Sequence, residues 1–286
     1  MKFRIANREA ARAKPSMSNV DISMRSPLES APVYSRPAAE DFLGFQFSIV
    51  NLEQTLRLVL NGCNGPYGYV VTPNAHHVVT VHDNPDELIP VYRDAWLTVC
   101  DSQILRALAA LNRISLPLVT GSDLVAALLA NQNDEASSSG RKRILVVGPD
   151  KTAERQLHAR YPHLNIEVMP APAQLALHAD RRLQVARACV ERQWDILLLC
   201  VGCPTQELIA NQIGKLGRKS GVALCVGAAI DFLIGRHVRA PRWMQNAGLE
   251  WAYRLGREPS RLWRRYLVQC PKVIRIFLKT RRSGRR

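Results

Sequence analysis

Short aliphatic runs that stop on glycine or a small polar residue, each paired with a stretch of helical periodicity, recur along this chain and leave it few folds. Tyr69–Thr72, Trp96–Cys100, Arg143–Val147, Asp195–Val201 and Gly221–Gly227 are such runs, while Asn84–Asp94, Ser102–Leu111, Lys151–Arg160 and Thr205–Ile213 read as helices. A strand with little polar alternation is buried on both faces, as in a parallel sheet covered by helices. The rhythm predicts βαβ units and an α/β fold: a Rossmann-like parallel sheet flanked by helices. The polar, Ser/Gly-rich stretch Asn131–Arg143 predicts a surface connection between two halves of the series.

In open parallel sheets, ligands sit outside the carboxyl ends of the strands. Thr72, Asp101, Gly148, Gly202 and Gly227 each follow such a run, so they are expected to line one nucleotide crevice. Residues 1–40 mix Arg, Ser, Pro and Ala without periodicity and read as a flexible leader. The α/β core is expected over 41–235. After it the strands stop, and residues 236–286 read as a basic helical appendage: Gly248–Arg257 as one helix, and Ser260–Gln269 as another that ends at Pro271.

Charge singles out that appendage. The chain carries a formal +15. From Arg236 to the end there are 13 arginines and two lysines against Glu250 and Glu258, a net +13. Leu262, Trp263, Tyr266 and Leu267, then Val273, Ile274, Ile276 and Phe277, are interleaved with those cations, the composition of a helix lying on an anionic membrane. No run reaches the ~18 apolar residues of a membrane span, and no secretory signal is evident, so membrane contact should be peripheral. Seven cysteines without a paired framework suggest reduced thiols and a cytoplasmic setting. Cys200 and Cys203 form a lone C-x-x-C, read as a strand residue and a strand-exit residue rather than as metal ligands. His76 and His77 are read as packed or surface histidines.

V-T-G-S-D-L at Val119–Leu124, G-C-P-T-Q-E at Gly202–Glu207 and the long run Asp231–Tyr266 resemble the WecG/TagA/CpsF glycosyltransferases, family 26, with the likeness spanning about Phe45 to Phe277. The resemblance implies inverting transfer from a UDP-sugar to a polyprenyl-diphosphate-linked sugar at the cytoplasmic membrane face. It further implies that no metal or other cofactor is used. The residues agree with that last point, since no D-x-D carboxylate pair is present to hold a divalent ion against a diphosphate. Arginines can take that place through bidentate bonds to phosphate oxygens.

On the same resemblance Asp101 is the general base and Thr72 a catalytic hydroxyl, with Asn74, Gln206 and Glu207 at the donor. Arg254, Arg261 and Arg264 hold the diphosphate, and Gly121, Ser122 and Asp123 line the nucleotide crevice with Gly148, Gly202 and Gly227. Local alternatives stand beside these roles: Asp101 as an N-cap, Asn74 as a cap, Thr72 as an ordinary strand residue. Ser102 and Leu118 depart from the family pattern and point toward another donor, such as UDP-glucose in exopolysaccharide synthesis. A UDP-N-acetylmannosamine donor of teichoic acid or common-antigen type is the alternative. A basic tail is also a footprint of nucleic-acid binding, but no helix-turn-helix, zinc-finger or RNP signature accompanies it, so nucleic acid is not expected as a partner. A homo-oligomer is compatible with the sequence.

Overall fold

The computed structural model describes residues 36–133, 141–237, 240–241, 244, 249–257, 259–263 and 270–283. An antiparallel hairpin comes first, β1 (Ala39–Phe42) with β2 (Phe45–Ser48). Next are α1 (Leu52–Gly62), β3 (Gly68–Val71), α2 (Ala75–Asp83), α3 (Pro85–Arg93), β4 (Leu97–Thr98), α4 (Gln103–Ala110) and α5 (Gly121–Asn133). The second series is β5 (Ile144–Gly148), α6 (Lys151–Arg160), β6 (Ile166–Pro170), α7 (Ala179–Glu191), β7 (Ile196–Leu199), α8 (Thr205–Lys215), β8 (Val222–Cys225) and α9 (Ala229–Leu233). Three further helices are α10 (Glu250–Arg257), α11 (Pro259–Trp263) and α12 (Cys270–Ser283).

Six strands form one parallel sheet in the order β4-β3-β8-β7-β5-β6. The central strands read ILVV, ILLL and VALC and are buried throughout, as double-faced coverage requires. Alternate side chains divide between two cores. Tyr69, Val71, Leu145, Val147, Leu197, Leu199, Ala223 and Cys225 meet α2, α3, α4, α7, α8 and the hairpin. Val70, Ile144, Val146, Ile196, Leu198, Val222 and Leu224 meet α1, α5, α6 and α9 on the other face. The α/β sandwich expected from the sequence is therefore what the chain forms. The edge strand β6 is only half covered and ends on Pro170, which an edge tolerates because its outer backbone is unpaired.

Helix starts follow local chemistry. Asn51 and Gln54 cap α1 reciprocally, and the Asp150 carboxylate accepts the N–H groups of Thr152 and Ala153 at the start of α6. The hairpin β1–β2 carries no alternating signal long enough to be read from sequence. It is held by Phe45, whose ring meets Tyr92 edge-on at 5.0 Å.

Pro271 lies in the first turn of α12, where first-turn N–H groups have no intrahelical acceptor and a missing one costs little; the end expected for the preceding helix falls outside the described residues. One expectation for the tail changes: Val273 and Phe277 do not face outward. They are 1% and 2% exposed, packed against the core that includes α2, with Phe277 6.1 Å from the Phe42 ring. One turn apart, the two apolar residues gain more by burial against protein than at a wet surface. Ile274 and Leu278, on the opposite side, stay 50% and 48% exposed. Of the helix read at Ser260–Gln269, α11 covers the start; residues 264–269, like residues 1–35 of the leader and 134–140 of the polar connection, lie outside the described residues.

Phe277→Ala is expected to lower the unfolding free energy by ~3–4 kcal/mol, seen as a lower urea midpoint. An unchanged midpoint would show that α12 is not part of the folded core.

Candidate active site

Thr72, Asp101, Gly202 and Gly227 follow the carboxyl ends of parallel strands and Gly148 ends β5, so all five lie at the same edge of the sheet, where the crevice is expected. Helices leaving β3 and β7 go to one face and those leaving β5 and β8 to the other. The chain therefore leaves β3 and β8, and β8 and β7, toward opposite faces, the kind of topological switch at which open α/β sheets hold their ligands. Two glycines at this edge are closely packed. A Cβ on Gly148, whose φ is +128°, would stand 2.7 Å from the Cys200 carbonyl oxygen, and one on Gly121 would stand 3.2 Å from the Val226 backbone. Both glycines allow backbone to approach backbone.

Asp101 is half-buried beyond β4. Its N–H donates to Pro73 O at 3.0 Å, and its Oδ2 accepts the Gly121 N–H at 3.1 Å, at the start of α5. It is not the N-cap of α4, because Ser102 Oγ accepts the Leu105 N–H in that role. The carboxylate therefore faces the amino end of a 13-residue helix, where the backbone dipole favours negative charge. Ser122 and Asp123 belong to the same helix start. Thr120 Oγ1 accepts the Asp123 N–H and donates to Asp123 Oδ2 at 2.6 Å, with Ser122 Oγ 3.3 Å away.

Thr72 is buried, and its hydroxyl donates to Cys225 O at 2.9 Å, tying the exit of β3 to β8. Asn74 caps α2: Oδ1 accepts the His76 N–H at 3.0 Å and lies 2.9 Å from His77 Nδ1. The Asn74 N–H also points at that ring nitrogen from 3.3 Å, but one nitrogen cannot both donate and accept, and the shorter contact prevails. Gln206 is occupied at both ends, its Oε1 accepting the Gly227 N–H at 2.9 Å and its Nε2 donating to Glu207 Oε1 at 2.8 Å. Thr72 and Gln206 tie the exits of β3 and β7 to the end of β8; the cap at Asn74 agrees with its local reading, whereas the bonds of Thr72 and Gln206 across the sheet edge were not legible from spacing.

Beneath the exits lies a group that sequence reading kept apart. His77 Nε2 is 3.4 Å from Glu207 Oε1, an ion-pair distance without hydrogen-bond geometry, and Cys203 Sγ is 3.7 Å from Tyr92 OH. Burial by itself would push the His77 imidazole down, but the facing Cys203 thiol and Glu207 carboxylate outweigh it and hold His77 up at about 10. Tyr92 is pushed well above its ordinary value by burial and by the Glu207 charge, so its phenol is a proton donor. His77 is indeed packed, as read, yet it is packed against two other titratable groups.

The model of the glycosyl transferase WecG/TagA/CpsF family matches residues 40–286. The chain belongs to this family. It is therefore a glycosyltransferase, and the family suggests work in polysaccharide biosynthesis.

In this WecG/TagA/CpsF glycosyltransferase the arginines expected at a diphosphate are placed only in part. Arg254 and Arg261 fall on α10 and α11, but their side chains, and Arg264 entirely, lie outside the described residues. Sequence reading passed over Arg236, which the fold brings to the rim of the crevice. Its guanidinium donates to both Asp150 oxygens, at 2.7 and 2.9 Å, just beyond Gly148. That hydrogen bonding, with the N–H groups of Ala153 and Thr152, holds the Asp150 carboxyl well below the usual carboxylate range.

Replacing the Thr72 hydroxyl by a methyl, Thr72→Val, is expected to cost about 1 kcal/mol of unfolding free energy through loss of the Cys225 link, while Thr72→Ser keeps both stability and transfer activity near those of the parent. Equal stability of all three proteins would show that the link contributes nothing.

Proposed function

We propose that the enzyme transfers a sugar with inversion from a UDP-sugar to a polyprenyl-diphosphate-linked saccharide, with Asp101 as the base. The observation that carries this reading is the Asp101 carboxylate itself, half-buried at the sheet edge, relieved by Ser102 of capping α4 and braced by the Gly121 N–H at the start of α5. In the step, the acceptor hydroxyl oxygen forms a bond to the anomeric carbon as the bond from that carbon to the diphosphate oxygen breaks on the opposite face. The hydroxyl proton passes to Asp101, and UDP leaves with the electron pair. One placed carboxylate suffices for such a displacement.

The leaving diphosphate gathers negative charge, and the reading assigns its stabilisation to Arg254, Arg261 and Arg264 without a divalent ion. Gly148, Gly202 and Gly227 let the nucleotide approach backbone at the exits of β5, β7 and β8. Thr72, Asn74, Gln206 and Glu207 act in this scheme as the frame behind the donor pocket, since Thr72 bonds Cys225 O, Asn74 holds the start of α2, and Gln206 bridges the Gly227 N–H and Glu207. Among the described residues, no helix is long and apolar enough to cross a membrane. The lipid-linked acceptor is met at a surface, and Ile274 and Leu278, exposed beside Arg275, Lys279 and Arg281, have the composition of a contact with anionic lipid. In this reading the enzyme works peripherally, on the inner face of a bacterial plasma membrane.

Asp101→Asn preserves an oxygen for the Gly121 N–H and removes the base. It is expected to slow acceptor-dependent release of UDP by about 10²–10⁴-fold while leaving UDP binding intact, whether or not magnesium or manganese is added. Full activity in the variant removes Asp101 from the mechanism, and a strict requirement for added divalent ion removes the arginine scheme. Run across UDP-glucose and UDP-N-acetylmannosamine, the same assay identifies the donor.

The double variant Ile274→Ser, Leu278→Ser leaves the buried side of α12 untouched. It should reduce cosedimentation with phosphatidylglycerol vesicles several-fold without changing the melting temperature. Undiminished binding would place the membrane contact elsewhere.

A further inference from the structure

Under the carboxyl ends of β3 and β7, three ligand atoms of different chemistry converge. His77 offers a ring nitrogen, Cys203 its Sγ and Glu207 a carboxylate oxygen, and these atoms all lie within 4.8 Å of one another. His77 comes from the first turn of α2, Glu207 from the first turn of α8, and Cys203 from the loop between β7 and α8. We propose that the three side chains form a binding site for a divalent cation of the zinc class, one that locks two strand exits together.

Two unpartnered atoms point to a ligand. His77 Nε2 and Glu207 Oε2 have no hydrogen-bond partner among the described residues, although the side chains are 5% and 0% exposed. Buried polar atoms are normally paired, and two such atoms beside a thiol are arranged to receive something.

The surrounding contacts also have the pattern of a ligand shell. Asn74 Oδ1 can only accept, so at 2.9 Å from Nδ1 it fixes the proton there and turns the lone pair of Nε2 toward Cys203 and Glu207. Gln206 Nε2 holds Glu207 Oε1 at 2.8 Å and leaves Oε2 to the site, while Gln206 is itself pinned by the Gly227 N–H. Tyr92 OH, 3.7 Å from Cys203 Sγ, steadies the sulfur. Each candidate ligand has its own outer partner, which a merely packed histidine does not need.

The donor set selects the ion. Thiolate and imidazole suit zinc and its soft neighbours, whereas magnesium and calcium take oxygen donors. Thiolate and carboxylate together balance a double positive charge, and three protein ligands leave one position open. This site is buried under α2 and α8. A buried ion held by the protein is compatible with transfer that uses no added metal.

The test uses the full chain, purified without chelator after growth with zinc, and reads metal by mass spectrometry. About one zinc per chain is expected, falling at least fivefold in Cys203→Ser and in His77→Gln with unchanged circular dichroism. Cobalt exchanged into the parent should give a thiolate-to-cobalt charge-transfer band that Cys203→Ser lacks. This spectrum decides the matter from the parent even where a variant folds poorly. A parent that carries no zinc and takes up no cobalt overturns the proposal and leaves the cluster as a protonated His77 paired with Glu207. Zinc content unchanged in both variants overturns it as well. None of these readouts involves sugar transfer, so their failure is separable from failure of the proposed activity.

Discussion

Strand β8 is hydrogen-bonded on both sides, to β3 and to β7, yet its following helix leaves for the opposite face of the sheet from theirs. That arrangement governs the rest of the molecule. With α9 drawn away, α2 and α8 start above the end of β8 with nothing between them, and their first turns bring His77 and Glu207 together. Thr72 and Gln206 then stitch the exits sideways, one to Cys225 O and the other to the Gly227 N–H. The exits of β3 and β7 are thereby tied to the end of β8 and not to their own helices alone.

Charge is distributed around that crevice by the same logic. Asp101 sits at the amino end of α5, where backbone N–H groups favour an anion, and Asp150 caps α6 while gripping Arg236. Carboxylates are thus held in place by helix starts, and cations cluster toward the carboxyl-terminal stretch. The last helix divides its duties by face. Val273 and Phe277 anchor it in the core, which leaves Ile274 and Leu278 outward among basic residues. A helix whose Val273 and Phe277 read from composition as membrane-facing is partly structural, because apolar residues four apart on a helix share a side and bury together.

Much of the fold was legible because burial on both faces leaves an unmistakable run: ILVV, ILLL and VALC can hardly be anything but inner parallel strands. Short elements were less legible. The hairpin Ala39–Ser48 has only four residues per strand, and its stability comes from aromatic contacts such as Phe45 with Tyr92 that are remote in sequence. At the site, Asp101, Gly148, Gly202 and Gly227 were legible as strand-exit residues. The cap at Asn74 was also legible, but the partners of Thr72 and Gln206 and the contact of Asn74 with the His77 ring were not, since each crosses between segments or depends on a ring orientation.

By itself, the sequence determined the α/β class, the set of strand exits at one edge of the sheet, and the accumulation of positive charge near the carboxyl end. Family membership follows from the same residues. These are properties of local pattern and composition, which a linear string carries in full. Only the tertiary structure decided that Ser102 rather than Asp101 caps α4, that Phe277 turns inward, and that His77 meets Cys203 and Glu207. Those outcomes depend on strand order and on the face each crossover takes, and both are set by how apolar surfaces far apart in the chain pack together.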